Sequence, residues 1–154
     1  MNSDFAEMLS ALSAAGVDFI IVGAHALAAH GAPRATGDLD IWVRPTRENA
    51  ERALQALAAF GAPLFDLSAD DLTHSDTVFQ MGVPPSRIDI LAGITGVTFD
   101  EAWPRRMLVS VEGLEVPVLS RRDFVTNKCL VDRPKDRVDL ALLAEADGPQ
   151  VPPK

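Results

Sequence analysis

Cysteine is almost absent from this chain of 154 residues: Cys129 is the only one. An internal disulfide is therefore impossible, and the chain suits a reducing compartment, the cytoplasm. A lone thiol of this kind is expected to be buried and inert. Histidine is scarce as well. His25, His30 and His74 are dispersed, without the spacing of zinc ligands. No apolar run approaches the roughly 20 residues needed to cross a bilayer. The opening stretch, MNSDFAEMLSALSAAG, is acidic and amphipathic and lacks the basic start of a secretory leader. Internal repeats, low-complexity blocks and interdomain linkers are missing too. These absences argue against a disulfide scaffold, a membrane span and a repeat array.

What is present is ordinary in bulk. Hydrophobic residues make up 47% and charged residues 23%, values of a soluble globular protein. The length fits one domain, expected over residues 1–146, followed by a disordered tail at 147–154. Net charge is -8, which disfavours general binding to a phosphate backbone. The charge is uneven, however. Residues 105–137 hold eight basic and five acidic side chains, leaving that stretch at +3 and the remainder at -11. A solvated helix face or a local phosphate-facing surface accounts for it.

Periodicity outlines alternating helices and strands. Phe5, Met8, Leu9 and Leu12 recur at helical spacing before Gly16. VDFIIVG reads as a buried strand, AHALAAHG as a short helix stopped before Pro33, and DLDIWV as a second strand. Thr46 is placed to cap ENAERALQALAAF, which ends at Gly61. Residues 62–76 read mostly as loop. TVFQMG and SRIDILAG form two strands joined by a Gly82-Val83-Pro84-Pro85 turn, and DEAWPRR a short helix limited by Pro104. MLVSV and LEVPVL form a hairpin across Glu112-Gly113. Ser120 and Asp123 have capping-box spacing ahead of DFVTNKCLV, and Pro134 opens KDRVDLALLAEA.

The chemistry lies in the carboxylates. Asp38 and Asp40 are two apart on an expected strand, so both project from one face while Leu39 and Ile41 enter the core. Close carboxylates resist joint ionisation unless a cation lies between them, and hard oxygen donors favour Mg2+ or Mn2+. Solvated aspartates at a strand end are the plainer reading. Asp89 is an isolated acid in Arg87-Ile88-Asp89-Ile90-Leu91, an otherwise apolar strand. Such a residue is paired or coordinates a metal. Its partner is either Arg87, on the same face, or a cation shared with Asp38 and Asp40. Gly23-Ala24, between the first strand and its helix, allows close approach of backbone N–H groups to an anion, or simply makes a tight turn.

This pattern resembles the nucleotidyltransferase superfamily, the polymerase-beta-like fold marked by Gly-[Gly/Ser], a short helix and D-x-D. It is most similar to the small bacterial branch that includes the AbiEii-type toxin proteins. The likeness is carried by Val22-Gly23-Ala24-His25-Ala26, His30-Gly31, Arg34-Ala35-Thr36, Asp38-Leu39-Asp40-Ile41 and Ile88-Asp89-Ile90-Leu91. Lys128, Arg133-Pro134-Lys135-Asp136 and Asp139-Leu140 complete it. It spans roughly residues 14–142. The fold implied is α/β (α+β), a single domain with a mixed β-sheet and flanking helices.

The resemblance implies that Asp38, Asp40 and Asp89 are metal ligands for Mg2+ or Mn2+, with Asp89 alternatively the base for an acceptor hydroxyl. Gly23 and Ala24 would cradle nucleotide phosphates, with Arg34 and Thr36 beside them. Lys128 would neutralise a phosphate or the departing pyrophosphate. Of Asp136 and Asp139, one would orient Lys128, or both would decorate a helix start. The implied reaction moves a nucleoside monophosphate from a nucleoside triphosphate to an acceptor hydroxyl and releases pyrophosphate. Ala24 departs from the Gly-Ser of many members. The acceptor class (tRNA, a protein or a small molecule) stays open. No large acceptor-binding domain is evident, so a protein partner or a second copy is expected to recognise it. A silent nucleotide-binding or toxin–antitoxin module and a metal-dependent phosphodiesterase are the competing readings. Trp42 and Trp103 are expected in the core or at its rim, and His25 as a helix-packing residue.

Overall fold

The computed structural model describes residues 2–32, 37–84 and 86–146. Arg34 and Thr36, Pro85 of the expected turn, and the tail at 147–154 lie outside the described residues. The first helix, α1 (Ser3–Ala14), forms where the sequence places it: Phe5, Met8, Leu9 and Leu12 are buried at i, i+3, i+4 and i+7. The Asn2 side chain caps it, accepting from the Asp4 N–H at 2.8 Å. Strand β1 (Phe19–Val22) is buried throughout and runs directly into α2 (Gly23–Ala29). Strand β2 (Leu39–Val43) precedes α3 (Arg47–Phe60), where Thr46 Oγ1 accepts from the Asn49 N–H.

Residues 62–76 are irregular apart from a single 3-10 turn at Asp71–Thr73. Strands β3 (Val78–Met81) and β4 (Ile88–Leu91) form one antiparallel hairpin. After α4 (Phe99–Ala102), β5 (Met107–Val111) and β6 (Leu114–Val118) form another. Its turn places Glu112 at φ +50° and Gly113 at φ +83°, the left-handed pair of a tight two-residue hairpin. Helices α5 (Arg121–Val131) and α6 (Pro134–Ala146) complete the fold and pack on each other.

The six strands make one mixed sheet in the order β3-β4-β2-β1-β6-β5. The first two strands pair antiparallel, while β1–β6 and β2–β4 pair parallel. Two parallel pairs demand crossovers, supplied by the helix-bearing segments between the strands. In β2 the alternation expected from sequence holds: Leu39, Ile41 and Val43 are fully buried. Asp40 and Trp42 share the opposite face.

One expectation fails. Cys129 is exposed rather than buried. Phe124 and Lys128, four residues apart, form the inward stripe of α5, so the next position turns outward.

Candidate active site

The parallel register of β2 with β4 sets Asp40 directly opposite Asp89. Both carboxylates therefore leave the same face of neighbouring strands. Asp38 stands just ahead of β2, held by its own backbone neighbourhood: its carboxylate accepts from the Arg87 N–H at 3.2 Å. The three acids meet in a crevice of about 320 Å³, whose lining also includes Gly23, Ala24, Lys128, Arg133 and Lys135. Residues distant in sequence thus share one wall.

Their mutual electrostatics are unfavourable. Burial, then the charge of Asp89, a hydrogen bond with it, and the charge of Asp38 push the Asp40 carboxyl up to about 6. Lys128 opposes that shift but does not cancel it. Arg87 supplies the compensating positive charge. Its Nε donates to Asp89 Oδ1 at 2.9 Å and its terminal nitrogen to Asp89 Oδ2 at 3.3 Å. The same guanidinium lies 3.3 Å from Asp38 Oδ2. The plainer sequence reading, an Asp89–Arg87 pair, and the clustering with Asp38 and Asp40 are both realised. They are not alternatives.

Gly23 is required at the mouth of this crevice for two reasons. Its φ is +68°, and a Cβ there would stand 2.2 Å from Asp40 Oδ2. The glycine clears the space in front of the acid. The helix that follows starts at this glycine, and Ala24 lines the crevice beside it.

On the opposite wall stands Lys128, whose side chain is buried. Its Nζ donates to Asp136 Oδ1 at 3.2 Å and lies 3.6 Å from Asp139 Oδ2. Both acids are buried, so they are internal partners of Lys128 rather than decoration of the first helical turns. Asp136 also accepts from the Arg133 backbone N–H at 3.0 Å and from its guanidinium at 2.8 Å. Those bonds, Arg133 first, hold the Asp136 carboxyl far below the usual carboxylate range. Within the +3 stretch, Lys128, Arg133 and Lys135 face the crevice, while Arg105 pairs with Asp123 and Arg137 with Asp132.

His25 packs edge-on against Phe5 at 5.6 Å, and burial lowers its pKa, as fits a helix-packing residue. Trp42 is buried and Trp103 half-buried. Arg87, which lines the crevice, is the site residue expected from sequence only as a pairing partner of Asp89. Its place two residues before an acid on the same strand was the available signal.

No family profile matches the chain, and no curated protein matches it. Solved structures do. A Thermotoga maritima protein assigned as a nucleotidyltransferase superposes with TM-score 0.56 at 16% identity, covering 92% of this chain and 88% of that one. The chain has the nucleotidyltransferase fold. The lincosamide antibiotic adenylyltransferase LnuA, bound to lincomycin, gives TM-score 0.54 at 12% identity, covering 95% and 98%. An antigenic nucleotidyltransferase-like protein from Paracoccidioides brasiliensis gives 0.51 at 16% identity, covering 98% and 78%. In this fold Asp40 and Asp89 lie on neighbouring strands of the sheet, with Asp38 just ahead of β2.

Among the described residues, no three His, Cys, Asp or Glu side chains are already drawn together as ligands of one ion. The donor chemistry nonetheless fits a divalent cation. The donors are hard oxygens, one of them resists ionisation beside its neighbours, and the space before it is kept clear by Gly23.

Proposed function

We propose that this protein is a metal-dependent nucleotidyltransferase of the small bacterial branch that includes AbiEii-type toxins, with residues 1–146 as its catalytic domain, acting in the cytoplasm. It would transfer a nucleoside monophosphate from a nucleoside triphosphate to an acceptor hydroxyl. The observation that carries this reading is the pairing of Asp40 with Asp89 across β2 and β4, facing a wall of Lys128, Arg133 and Lys135.

In the reaction, the acceptor oxygen forms a bond to the α-phosphorus as the bond to the β-phosphate oxygen breaks. Pyrophosphate leaves with that electron pair, and the acceptor proton is released. Asp38, Asp40 and Asp89 would hold Mg2+ or Mn2+, which when bound supplies charge stabilisation at the attacking and leaving oxygens. Asp89 is alternatively the group that receives the acceptor proton. Backbone at Gly23 and Ala24 contacts the phosphates. Lys128, held in place by Asp136 and Asp139, balances charge on the departing pyrophosphate. Arg34 and Thr36 are assigned to the phosphate side by resemblance alone.

One observation favours a second reading. The Arg87 guanidinium already compensates Asp38 and Asp89, as would suit a silent nucleotide-binding or toxin–antitoxin module. Incubation with Mg2+, each α-labelled triphosphate, and total cellular RNA and protein separates the two. Covalent label on an acceptor supports transfer. Retained nucleotide without transfer supports the silent module, and net phosphodiester cleavage overturns both.

A further inference from the structure

Beyond the carboxylate crevice, β2 and β4 continue into a second space. Trp42 lies two residues past Asp40 on the same face of β2, and its register partner is Leu91, two past Asp89. A cavity of about 400 Å³ opens there, lined by Trp42, Pro45, Ile94, Val97, Phe99 and Glu101 among others. That volume is in the range of small-molecule sites. It is not isolated. A neighbouring crevice of about 270 Å³, bordered by Asp40, Asp89 and Lys128, shares Gly93 and Ile94 with the cavity.

The two spaces differ in chemistry. Among the described residues no lysine, arginine or histidine lines the cavity, and Arg44, whose guanidinium lies 4.7 Å from the Phe99 ring, is paired with Asp18 and Asp100. Its one ionisable lining residue, Glu101, is committed: its Oε1 accepts from the Thr98 N–H at 3.0 Å and from Thr98 Oγ1 at 2.8 Å. The aromatic wall is fixed before any ligand arrives. Phe99 meets Trp42 edge-on at 5.1 Å and stacks on Trp103 at 5.4 Å. The buried Trp42 indole N–H has no hydrogen-bond acceptor among the described residues. A polyanion finds no counter-charge here, whereas a neutral apolar body finds surface on several sides.

We propose that this cavity is the acceptor site, and that the acceptor is a small, uncharged, largely apolar alcohol carrying a hydrogen-bond acceptor group. The inference rests on the transferase reading and narrows its substrate class. The body sits against Trp42, Val97 and Phe99, and the hydroxyl reaches past Gly93 and Ile94 to the carboxylates. The alcohol O–H gives its oxygen to the α-phosphorus and loses its proton; pyrophosphate departs, leaving a neutral alcohol converted to a nucleotidyl ester. Recognition of the acceptor then requires neither a partner protein nor a second copy.

The test uses the full chain carrying Trp103→Phe, in which Trp42 is the one remaining tryptophan. Titration with 2-phenylethanol is expected to change indole emission saturably, while glycerol and polyuridylate do not. Ile94→Phe, which fills the passage between the two spaces, should weaken that binding by about tenfold or more. Val97→Ala, which enlarges the cavity, should shift preference toward the bulkier 2-(2-naphthyl)ethanol. Binding of Mn2+ with a non-hydrolysable ATP analogue should stay within about twofold of the parent in Val97→Ala, since Val97 lines the cavity and not the crevices at the carboxylates. Absence of saturable binding, or binding indifferent to both substitutions, overturns the acceptor assignment. So does selective loss of the ATP analogue in Val97→Ala, which would assign the cavity to the nucleobase. If the parent protein fails to bind the analogue with Mn2+ at all, the transferase reading itself falls; if it binds the analogue and ignores the alcohol, only the acceptor inference falls.

Discussion

Two groups of aspartates, one lining the crevice and one bonded to its Lys128, each hold one shifted carboxyl, and the two shifts run in opposite directions. Asp40, among Asp38 and Asp89, is pushed up to about 6, whereas Asp136, among Lys128 and Arg133, is held well below the ordinary range. The side-chain type is the same. What differs is the count of opposite charges. On the α5–α6 side, two cations, Lys128 and Arg133, both donate to Asp136. On the β2–β4 side, Asp38 and Asp89 share the guanidinium of Arg87, with Asp40 crowded beside them. The first arrangement is a completed internal network that fixes Lys128. The second is left short of positive charge, which is what a cation-binding site needs before its ion arrives.

The largest effect should come from breaking the completed network. Asp136→Ala strands Lys128 and Arg133 without their shared partner, and loss of one member of a buried pair costs about 3–5 kcal/mol. Denaturant unfolding should show that drop. A change below about 1 kcal/mol would mean the network is not structural.

Substitution on the other side should act with the opposite sign. Asp40→Asn keeps the shape and removes the repulsion, so the metal-free protein should gain roughly 1–3 kcal/mol at pH 7.5. The pH dependence sharpens this. The folded carboxyl titrates above its unfolded value, so the folded state holds its proton more tightly. That contribution is complete below about pH 4, the unfolded value, and is lost as pH rises through about 6. Unfolding free energy of the metal-free protein should therefore fall between those limits in the parent and less so in Asp40→Asn. Identical profiles would show that Asp40 titrates normally.

The smallest effect concerns Arg87. If its guanidinium stands in for a cation, Arg87→Gln should tighten Mn2+ binding by up to about tenfold, the scale of one screened charge contact. Weaker Mn2+ binding in that variant would make Arg87 a support for the ligands and not their competitor.

The two regions were unequally legible in the sequence. Asp38 and Asp40 are local: period-two alternation with Leu39 and Ile41 puts them on one face whatever the topology. Asp89 was conspicuous as an acid in an apolar strand. That it faces Asp40 depends on β4 lying parallel beside β2, a long-range pairing that no local pattern encodes. The burial of Asp136 and Asp139 was illegible for a related reason. A helix's first turn is usually solvated, and only the packing of α6 on α5 encloses it. Cys129 was misjudged because thiols are commonly buried, while the helical phase set by Phe124 and Lys128 turns it outward. The cavity at Trp42 left no signal, since it is bounded by segments that meet only in the fold.

The central claim is that the β2–β4 aspartates form a cation site. Calorimetric titration of Mn2+ into the parent, Asp38→Ala, Asp40→Ala and Asp89→Ala proteins addresses it directly. One saturable binding event in the parent, weakened by about 100-fold in each variant with folding retained, is the expected result. Equal affinity in all four proteins would contradict it.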